Sequence, residues 1–272
     1  MDRINIKNLE VFAKHGVLPE EHVLWQKFII SVSLSFSLRS AGWYDDLKLS
    51  VDYGAVCRVI QEFAEGTEFK LIEAVGEKLA EKLLREIPDV KSVWLEIQKP
   101  WAPVGMHLET ISAEIERSRH TAYLSLGSNM GDREAHLRFA ISELDAAHGC
   151  SVRRTSSFLN TAPYGYKEQG DFLNACLELE TLLTPRELLE LIHKIEAGAH
   201  RERVVHWGPR TLDIDILFYD DLVLSEPDLR IPHADIQKRE FVLAPLCEIA
   251  GYVMHPLLHK TAAELLEELR RP

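Results

Sequence analysis

Along the first hundred or so residues the apolar positions change period repeatedly. Residues 4–13, I-N-I-K-N-L-E-V-F-A, read as a strand. In F-I-I-S-V-S-L-S-F-S-L, 28–38, apolar residues alternate with serine from Ile30 onward, which predicts a strand with one exposed face. D-Y-G-A-V-C-R-V-I-Q-E-F, 52–63, moves to a helical period with Asp52 placed as the N-cap. Leu71, Val75, Leu79 and Leu83 recur every four residues and predict a second amphipathic helix. V-K-S-V-W-L-E-I, 90–97, and T-I-S-A-E-I, 110–115, return to the strand pattern. The order ββααββ predicts one antiparallel sheet carrying two helices on one face.

The charged stretch E-R-S-R-H, 116–120, follows, and a new pattern begins after it. A-Y-L-S-L-G-S-N-M-G-D, 122–132, reads as strand, turn and helix start, with helical periodicity over about 133–147. Strands follow near 152–159 and 172–180, then a helix over 185–197 with Pro185 suited to its first turn. T-L-D-I-D-I-L-F-Y, 211–219, is a further strand, and a last helix covers 262–270. The boundary falls near Arg119, giving domains 1–119 and 120–272 joined by a segment too short and too charged to be a flexible tether. Both are α+β, with no internal repeat or low-complexity segment.

Composition agrees with two cores. A chain of 272 residues suits two domains of about 100–150 residues each. Its 46% hydrophobic and 27% charged content is that of a globular protein. No apolar run approaches the roughly 20 residues that cross a membrane, and M-D-R-I-N-I lacks a basic-then-apolar leader. The expectation is a cytoplasmic protein with no membrane partner. The net charge of −12 argues against a nucleic-acid partner, though not against an anionic small substrate met by a local basic patch. Cys57, Cys150, Cys176 and Cys247 form no C-x-x-C pair and read as buried free thiols. His255 and His259 have i,i+4 spacing, but Pro256 between them argues for a loop and further metal ligands are not evident.

Asp213 and Asp215 change the picture. Two places apart on a strand, both carboxylates point to one face and repel each other. Arg201, Arg203 and Arg210 precede them, and His233 and Arg239 follow, a basic island in an acidic chain. Such a set suits a nucleotide site, where carboxylates hold Mg²⁺ and arginines hold phosphate oxygens. On spacing alone the favoured reading is plainer: Thr211, Asp213, Asp215 and Tyr219 as the wet face of an edge strand, with Leu212, Ile214, Ile216 and Phe218 on the core.

Longer strings shift the weight. G-S-N-M-G-D (127–132), T-A-P-Y-G (161–165), D-F-L-N-A (171–175), H-W-G-P-R-T-L-D-I-D-I (206–216) and I-P-H…R-E-F-V-L-A-P-L (231–246) occur in this order. From Thr121 onward the chain closely resembles the 6-hydroxymethyl-7,8-dihydropterin pyrophosphokinase family, with its ferredoxin-like α/β sandwich. That resemblance implies that Asp213 and Asp215 bridge two Mg²⁺ ions with the phosphates of ATP and that Arg201 and Arg210 clamp phosphates. Glu196, Trp207, Ile216, His233 and Arg239 would complete the nucleotide site, with Arg203 on a loop that closes over it. Thr161, Pro163, Tyr164, Phe172, Asn174 and Phe241 would hold the pterin, two aromatic rings sandwiching it. The chain departs from the family at Phe172, where Tyr is common, at Val204, a position often basic, and at Ala234, where a larger side chain is usual. No departure removes a metal ligand.

In the first half the strings are shorter: H-G-V-L-P-E-E (15–21), V-D-Y-G (51–54), K-L-I-E-A-V (70–75) and K-P-W-A-P-V-G (99–105). Singly each has a plain explanation. Glu73 suits a first helical turn, Lys99 a strand end, and Tyr53 helix packing. Together, over about 3–117, they resemble dihydroneopterin aldolase, a tunnelling fold of the same ββααββ order. The resemblance implies that Glu73, with Ile72, holds the pterin edge and that Lys99 moves protons. It also implies that Tyr53 assists protonation of the enamine and that Glu21 meets the polyol side chain. It implies no cofactor, and sites built between subunits of a tetramer or octamer. The product of this cleavage is the substrate of the second reaction, so the expectation is a bifunctional folate enzyme. Two rivals stand beside it: a pyrophosphokinase whose first domain is only an assembly or pterin-binding module, and a nucleotide-binding regulator without catalysis.

Overall fold

The computed structural model describes residues 1–163, 169–199 and 210–271. The chain forms two compact units, Met1–Arg119 and His120–Pro272. No helix among the described residues is long and apolar enough to cross a membrane.

In the first unit, β1 (Arg3–Ala13), β2 (Gln26–Ser35), β3 (Ser92–Lys99) and β4 (Ile111–Ser118) form one antiparallel sheet in that order. A short helix, α1 (Arg39–Tyr44), precedes α2 (Tyr53–Gly66) and α3 (Ile72–Glu86). Asp52 caps α2 as its sequence predicts, accepting from the N–H groups of Gly54 and Ala55 at 2.8 and 3.1 Å. Val75, Leu79 and Leu83 of α3 are buried, while Leu71 lies just outside the helix and is exposed. Ile30, Val32 and Leu34 of β2 sit in the core with Leu95 and Ile97 of β3. Each such side chain contributes about 1.5–3 kcal/mol by leaving water.

The expected exposed serine face of β2 is buried. Ser31, Ser33 and Ser35 lie on a central strand, where Glu96 and Trp94 stand directly opposite Ser31 and Ser33 on β3. Asn8 of β1 covers the other flank, its N–H donating to Ser31 Oγ at 3.1 Å. Small side chains between longer ones are shielded without a third layer. The charged 116–120 stretch is likewise strand on both sides of Arg119, ending β4 and starting β5.

In the second unit, β5 (His120–Ser128), α4 (Arg133–Ala146), β6 (Cys150–Thr155), β7 (Leu159–Thr161), β8 (Phe172–Thr181), α5 (Pro185–Gly198) and β9 (Asp213–Tyr219) follow in order. The antiparallel sheet runs β6-β8-β5-β9, with β7 also paired to β8. This is the split βαβ arrangement of a ferredoxin-like sheet. The single strand expected near 152–159 is broken after Thr155, where the Ser156 hydroxyl accepts from the Cys176 N–H at 2.9 Å. Helices α4 and α5 share one core with one sheet face, and α6 (Glu240–Ala250) and α7 (Ala262–Arg270) share a second core with the other. Helix α6 is not evident in the sequence, because Pro245 stands inside it.

The face assignment of β9 is corrected beyond Ile216. The register against β5 shifts between Tyr123 and Leu124, so Leu217 is an extra residue. Past it the alternation inverts: Tyr219 joins the core of Ile214 and Ile216, and Phe218 faces α6 and α7 with Leu217. His255 and His259 lie in a hairpin, as the proline between them suggests. His255 Nδ1 accepts from the N–H groups of Leu257 and Leu258, both at 3.3 Å.

Candidate functional site

In the second unit a cavity of about 240 Å³ opens beside the ends of β5, β8 and β9. Asp213, Asp215, Arg210 and Arg239 line it together with Thr161, Phe172, Asn174 and Phe241. Strand alternation delivers the two aspartates to this face, as their spacing requires. Asn174 is buried and donates from Nδ2 to Thr161 Oγ1 at 2.8 Å, which fixes its amide at the wall. A Cβ on Gly127 would lie 3.2 Å from Asn174 Oδ1 and would crowd the amide that Thr161 holds. Gln169 and Ser125 also line the cavity, and nothing in their sequence surroundings marks them.

The aspartates are met by cations. The Arg210 guanidinium pairs with Asp213. Arg239 Nη1 and His233 Nε2 stand 3.6 and 3.8 Å from Asp215 Oδ2. Burial first, and Asp213 second, push the Asp215 carboxyl above its usual range against the pull of these three. Burial lowers the His233 pKa, with Asp215 opposing. Two adjacent hard oxygen donors with a raised carboxyl fit a divalent cation. Among the described residues no group of three or more such ligands gathers, so the pair needs water or phosphate oxygens to complete a shell.

At two expected nucleotide contacts the side chains also serve the fold. Glu196 is 4% exposed, and its Oε1 accepts from the Ile214 N–H at 2.9 Å, bracing β9 between the two aspartates from behind. Ile216 packs its side chain into the opposite core, leaving only the backbone of this sheet edge for a ligand. Pro163 follows the cavity residues Thr161 and Ala162. Ala234 is exposed next to His233. Tyr164, Arg201, Arg203, Val204 and Trp207 lie outside the described residues.

In the first unit the buried residues His15, Glu21 and Gln26 gather around Lys99. It is 7% exposed, as is Glu21, and the two form an ion pair. Lys99 Nζ also donates to the His15 carbonyl at 2.9 Å, and Leu18 N–H donates to Glu21 Oε2 at 2.9 Å. Burial raises the Glu21 carboxyl, but the Lys99 ammonium and the Leu18 N–H outweigh it and hold the pKa below its ordinary value. His15 is 1% exposed and accepts at Nδ1 from the Phe69 N–H at 3.2 Å. Burial, with Lys99 next in weight, drives its pKa down to about 4, so the imidazole is neutral. Gly16 lies against Glu21, and an added Cβ would come 2.2 Å from Cδ of that carboxylate. Because Lys99 and Leu18 hold the carboxylate, it has no free direction to retreat. Gly16→Ala is therefore expected to lower the thermal midpoint of this unit and to displace Glu21 from Lys99, read by calorimetry and by the loss of any chemistry that needs the pair.

Glu73 and Ile72 stand in the first turn of α3, beyond Phe69 and at the same end as His15. Glu73 is exposed. Tyr53 is at the other end of its helix. Phe63, in the last part of α2, stacks on Phe69 with centroids 6.0 Å apart. Tyr53 precedes it by ten residues, about 15 Å of helix at about 1.5 Å per residue. It is 63% exposed and makes no hydrogen bond with Lys99 or Glu21. Within one chain, then, Tyr53 and Lys99 do not share a site.

Comparison with known proteins gives a match for each unit. Residues 123–251 match the family model of 7,8-dihydro-6-hydroxymethylpterin-pyrophosphokinase, and residues 4–116 match that of dihydroneopterin aldolase. The 2-amino-4-hydroxy-6-hydroxymethyldihydropteridine pyrophosphokinase of Bacillus subtilis is 46% identical over 132 residues, 48% of this chain and 79% of that protein. The folic acid synthesis protein FOL1 of Dictyostelium discoideum is 31% identical over 288 residues, 96% of this chain. The chain spans only 43% of FOL1, and 42% of the bifunctional protein FolKE of Lactococcus lactis strain IL1403. Among solved structures, the dihydroneopterin aldolase of E. coli in complex with neopterin is 28% identical, covering 43% of this chain and 100% of that one, with a TM-score of 0.41.

Proposed function

The chain belongs to the 7,8-dihydro-6-hydroxymethylpterin-pyrophosphokinase family and carries a dihydroneopterin aldolase domain ahead of that unit; from this premise we propose that it performs two successive reactions on one pterin. The observation that carries the reading is the second-unit cavity, where a carboxylate pair, two arginines and two aromatic rings share one small space.

In the first reaction the 2′-hydroxyl of 7,8-dihydroneopterin loses its proton and the C1′–C2′ bond breaks. Glycolaldehyde leaves, and the electron pair passes to the C6=N5 imine. Protonation of the resulting enamine at C1′ gives 6-hydroxymethyl-7,8-dihydropterin. Glu73, with Ile72, anchors the pterin edge, and Glu21 meets the polyol while holding Lys99. Lys99, enclosed by Glu21 and the His15 carbonyl, is placed for proton transfer. Tyr53 serves the site of a second copy. Exposed Trp43, Tyr44 and Leu47 precede Tyr53 in the sequence, and exposed Leu18, Trp25 and Trp101 flank the Lys99 cluster residues. Two different apolar patches meeting head to tail form a ring when the rotation closes, and a tetramer, or an octamer of paired rings, is the assembly proposed on this ground.

In the second reaction the pterin hydroxymethyl oxygen attacks the β-phosphorus of ATP. The new O–P bond forms as the bond from that phosphorus to the α,β-bridging oxygen breaks, and AMP leaves. Asp213 and Asp215 would hold two Mg²⁺ ions, which neutralise the phosphate charge. Arg210 and Arg239 meet phosphate oxygens, as would Arg201, with Arg203, Trp207 and His233 enclosing the nucleotide. Phe172, Phe241, Asn174, Thr161, Pro163 and Tyr164 hold the pterin. Catalysis is then positioning and charge neutralisation.

The test supplies 7,8-dihydroneopterin, ATP and Mg²⁺ to the full chain and measures glycolaldehyde and AMP with and without EDTA. The reading expects EDTA to stop AMP release and to spare glycolaldehyde. AMP without glycolaldehyde would leave the first domain an assembly or pterin-binding module, and neither product would leave a nucleotide-binding regulator.

A further inference from the structure

The string G-S-N-M-G-D contains a residue that reaches both sides of the second-unit cavity. Asn129 follows β5. Its backbone N–H donates to the Arg210 carbonyl at 3.1 Å, and its Oδ1 accepts from the Arg210 N–H at 2.7 Å. Arg210 is thus gripped on both of its backbone polar groups by one residue. The same side chain turns its Nδ2 the other way, donating to Gln169 Oε1 at 3.0 Å and to the Gly170 carbonyl at 3.4 Å. Gln169 and Arg210 both line the cavity. Asn suits this place because its amide presents an acceptor and a donor side by side, which Asp, Ser or Ala cannot reproduce.

We propose that Asn129 is a positioning residue of the pyrophosphokinase. Its Oδ1 fixes the backbone from which Arg210 reaches phosphate, and its Nδ2 fixes the Gln169–Gly170 wall beside the pterin. The residue touches no reacting atom, so its influence is exerted through Arg210 and Gln169. Misplacing a charge-neutralising guanidinium by about 1 Å is enough to slow transfer by about a hundredfold. This inference rests on the proposed transfer reaction for its kinetic arm and on hydrogen bonding alone for its other arm.

The experiment compares Asn129→Ala, Asn129→Asp, Gln169→Leu and the Asn129→Ala/Gln169→Leu pair in the full chain. Asn129→Ala, which loses both arms, is expected to lower kcat about a hundredfold and raise the pterin KM about tenfold. Asn129→Asp keeps the acceptor for Arg210 and loses the donor, so most of its effect falls on the pterin KM. In the pair, the KM effects fail to add, because Asn129 acts through Gln169. Glycolaldehyde release is unchanged throughout. Amide hydrogen exchange at Arg210 needs no catalysis and is expected to quicken at least about tenfold in Asn129→Ala but not in Asn129→Asp. If wild type transfers no pyrophosphate, the functional reading fails while exchange at Arg210 still decides the positioning. Unaltered Arg210 exchange, fully additive KM effects, or an Asn129→Ala enzyme within twofold of wild type would each overturn the proposal.

Discussion

Asp215→Asn is expected to reduce AMP release about a thousandfold or more while leaving the metal-free protein at least as stable as wild type. The kinetic loss follows from removing one of the two oxygen donors proposed to hold the cations that neutralise the phosphates, an effect worth about 4 kcal/mol or more in the transition state. The stability result has a separate cause. Burial and then Asp213 hold the Asp215 carboxyl above its usual pKa. A raised carboxyl lends stability at low pH that disappears as the pH rises through that value, so above it the ionised group is a burden. A neutral amide removes it. Arg239 keeps a second partner in Asp235 at 3.8 Å. Calorimetry with and without Mg²⁺ and ATP reads both: the ligands raise the wild-type midpoint and move the variant little. Near-wild-type AMP release by Asp215→Asn would remove the metal assignment.

The second large effect is expected at Lys99. Lys99→Met should abolish glycolaldehyde release, a fall of about 10²–10⁴-fold if the ammonium moves a proton in the slow step, and leave AMP release from supplied 6-hydroxymethyl-7,8-dihydropterin at the wild-type rate. Removing the lysine also strands Glu21, which is as deeply buried, and breaking one partner of a buried pair costs about 3–5 kcal/mol. The companion variant Lys99→Met/Glu21→Gln relieves that charge. It should restore the midpoint of the first unit and none of the cleavage, which separates loss of chemistry from loss of fold. Recovery of glycolaldehyde release in the companion would assign Lys99 a structural role only. An equal fall in both activities would point to damage across the chain.

Much of this architecture is legible in the sequence where local chemistry and burial agree. Asp52 announces α2 because its carboxylate has two amides to accept from, and Val75, Leu79 and Leu83 announce α3 because one stripe meets one sheet. The aspartate pair declares its shared face through strand alternation alone. Legibility stops where distant residues decide. The shift in register at Leu217 inverts Phe218 and Tyr219, and no local pattern marks it. Pro245 disguises α6, and the serines of β2 are buried by neighbours on two other strands. Family resemblance names Glu196 as a nucleotide residue, and the bond by which its carboxylate also holds the Ile214 amide is visible only in the fold. Tyr53 and Lys99 carry compatible chemistry, but Tyr53 opens α2 while the His15 beside Lys99 is linked to that helix's far end, a separation that only the path from Phe63 through Phe69 to His15 reveals.

The central claim is that one chain carries a pterin through both steps. The most direct measurement gives the protein 7,8-dihydroneopterin and Mg²⁺-ATP alone and follows 6-hydroxymethyl-7,8-dihydropterin diphosphate by mass spectrometry. Wild type should form it. Lys99→Met should form it only when 6-hydroxymethyl-7,8-dihydropterin is added, and Asp215→Asn should accumulate that intermediate instead. Wild-type protein that yields no diphosphate from 7,8-dihydroneopterin, while yielding it from the hydroxymethyl pterin, would contradict the two-step account.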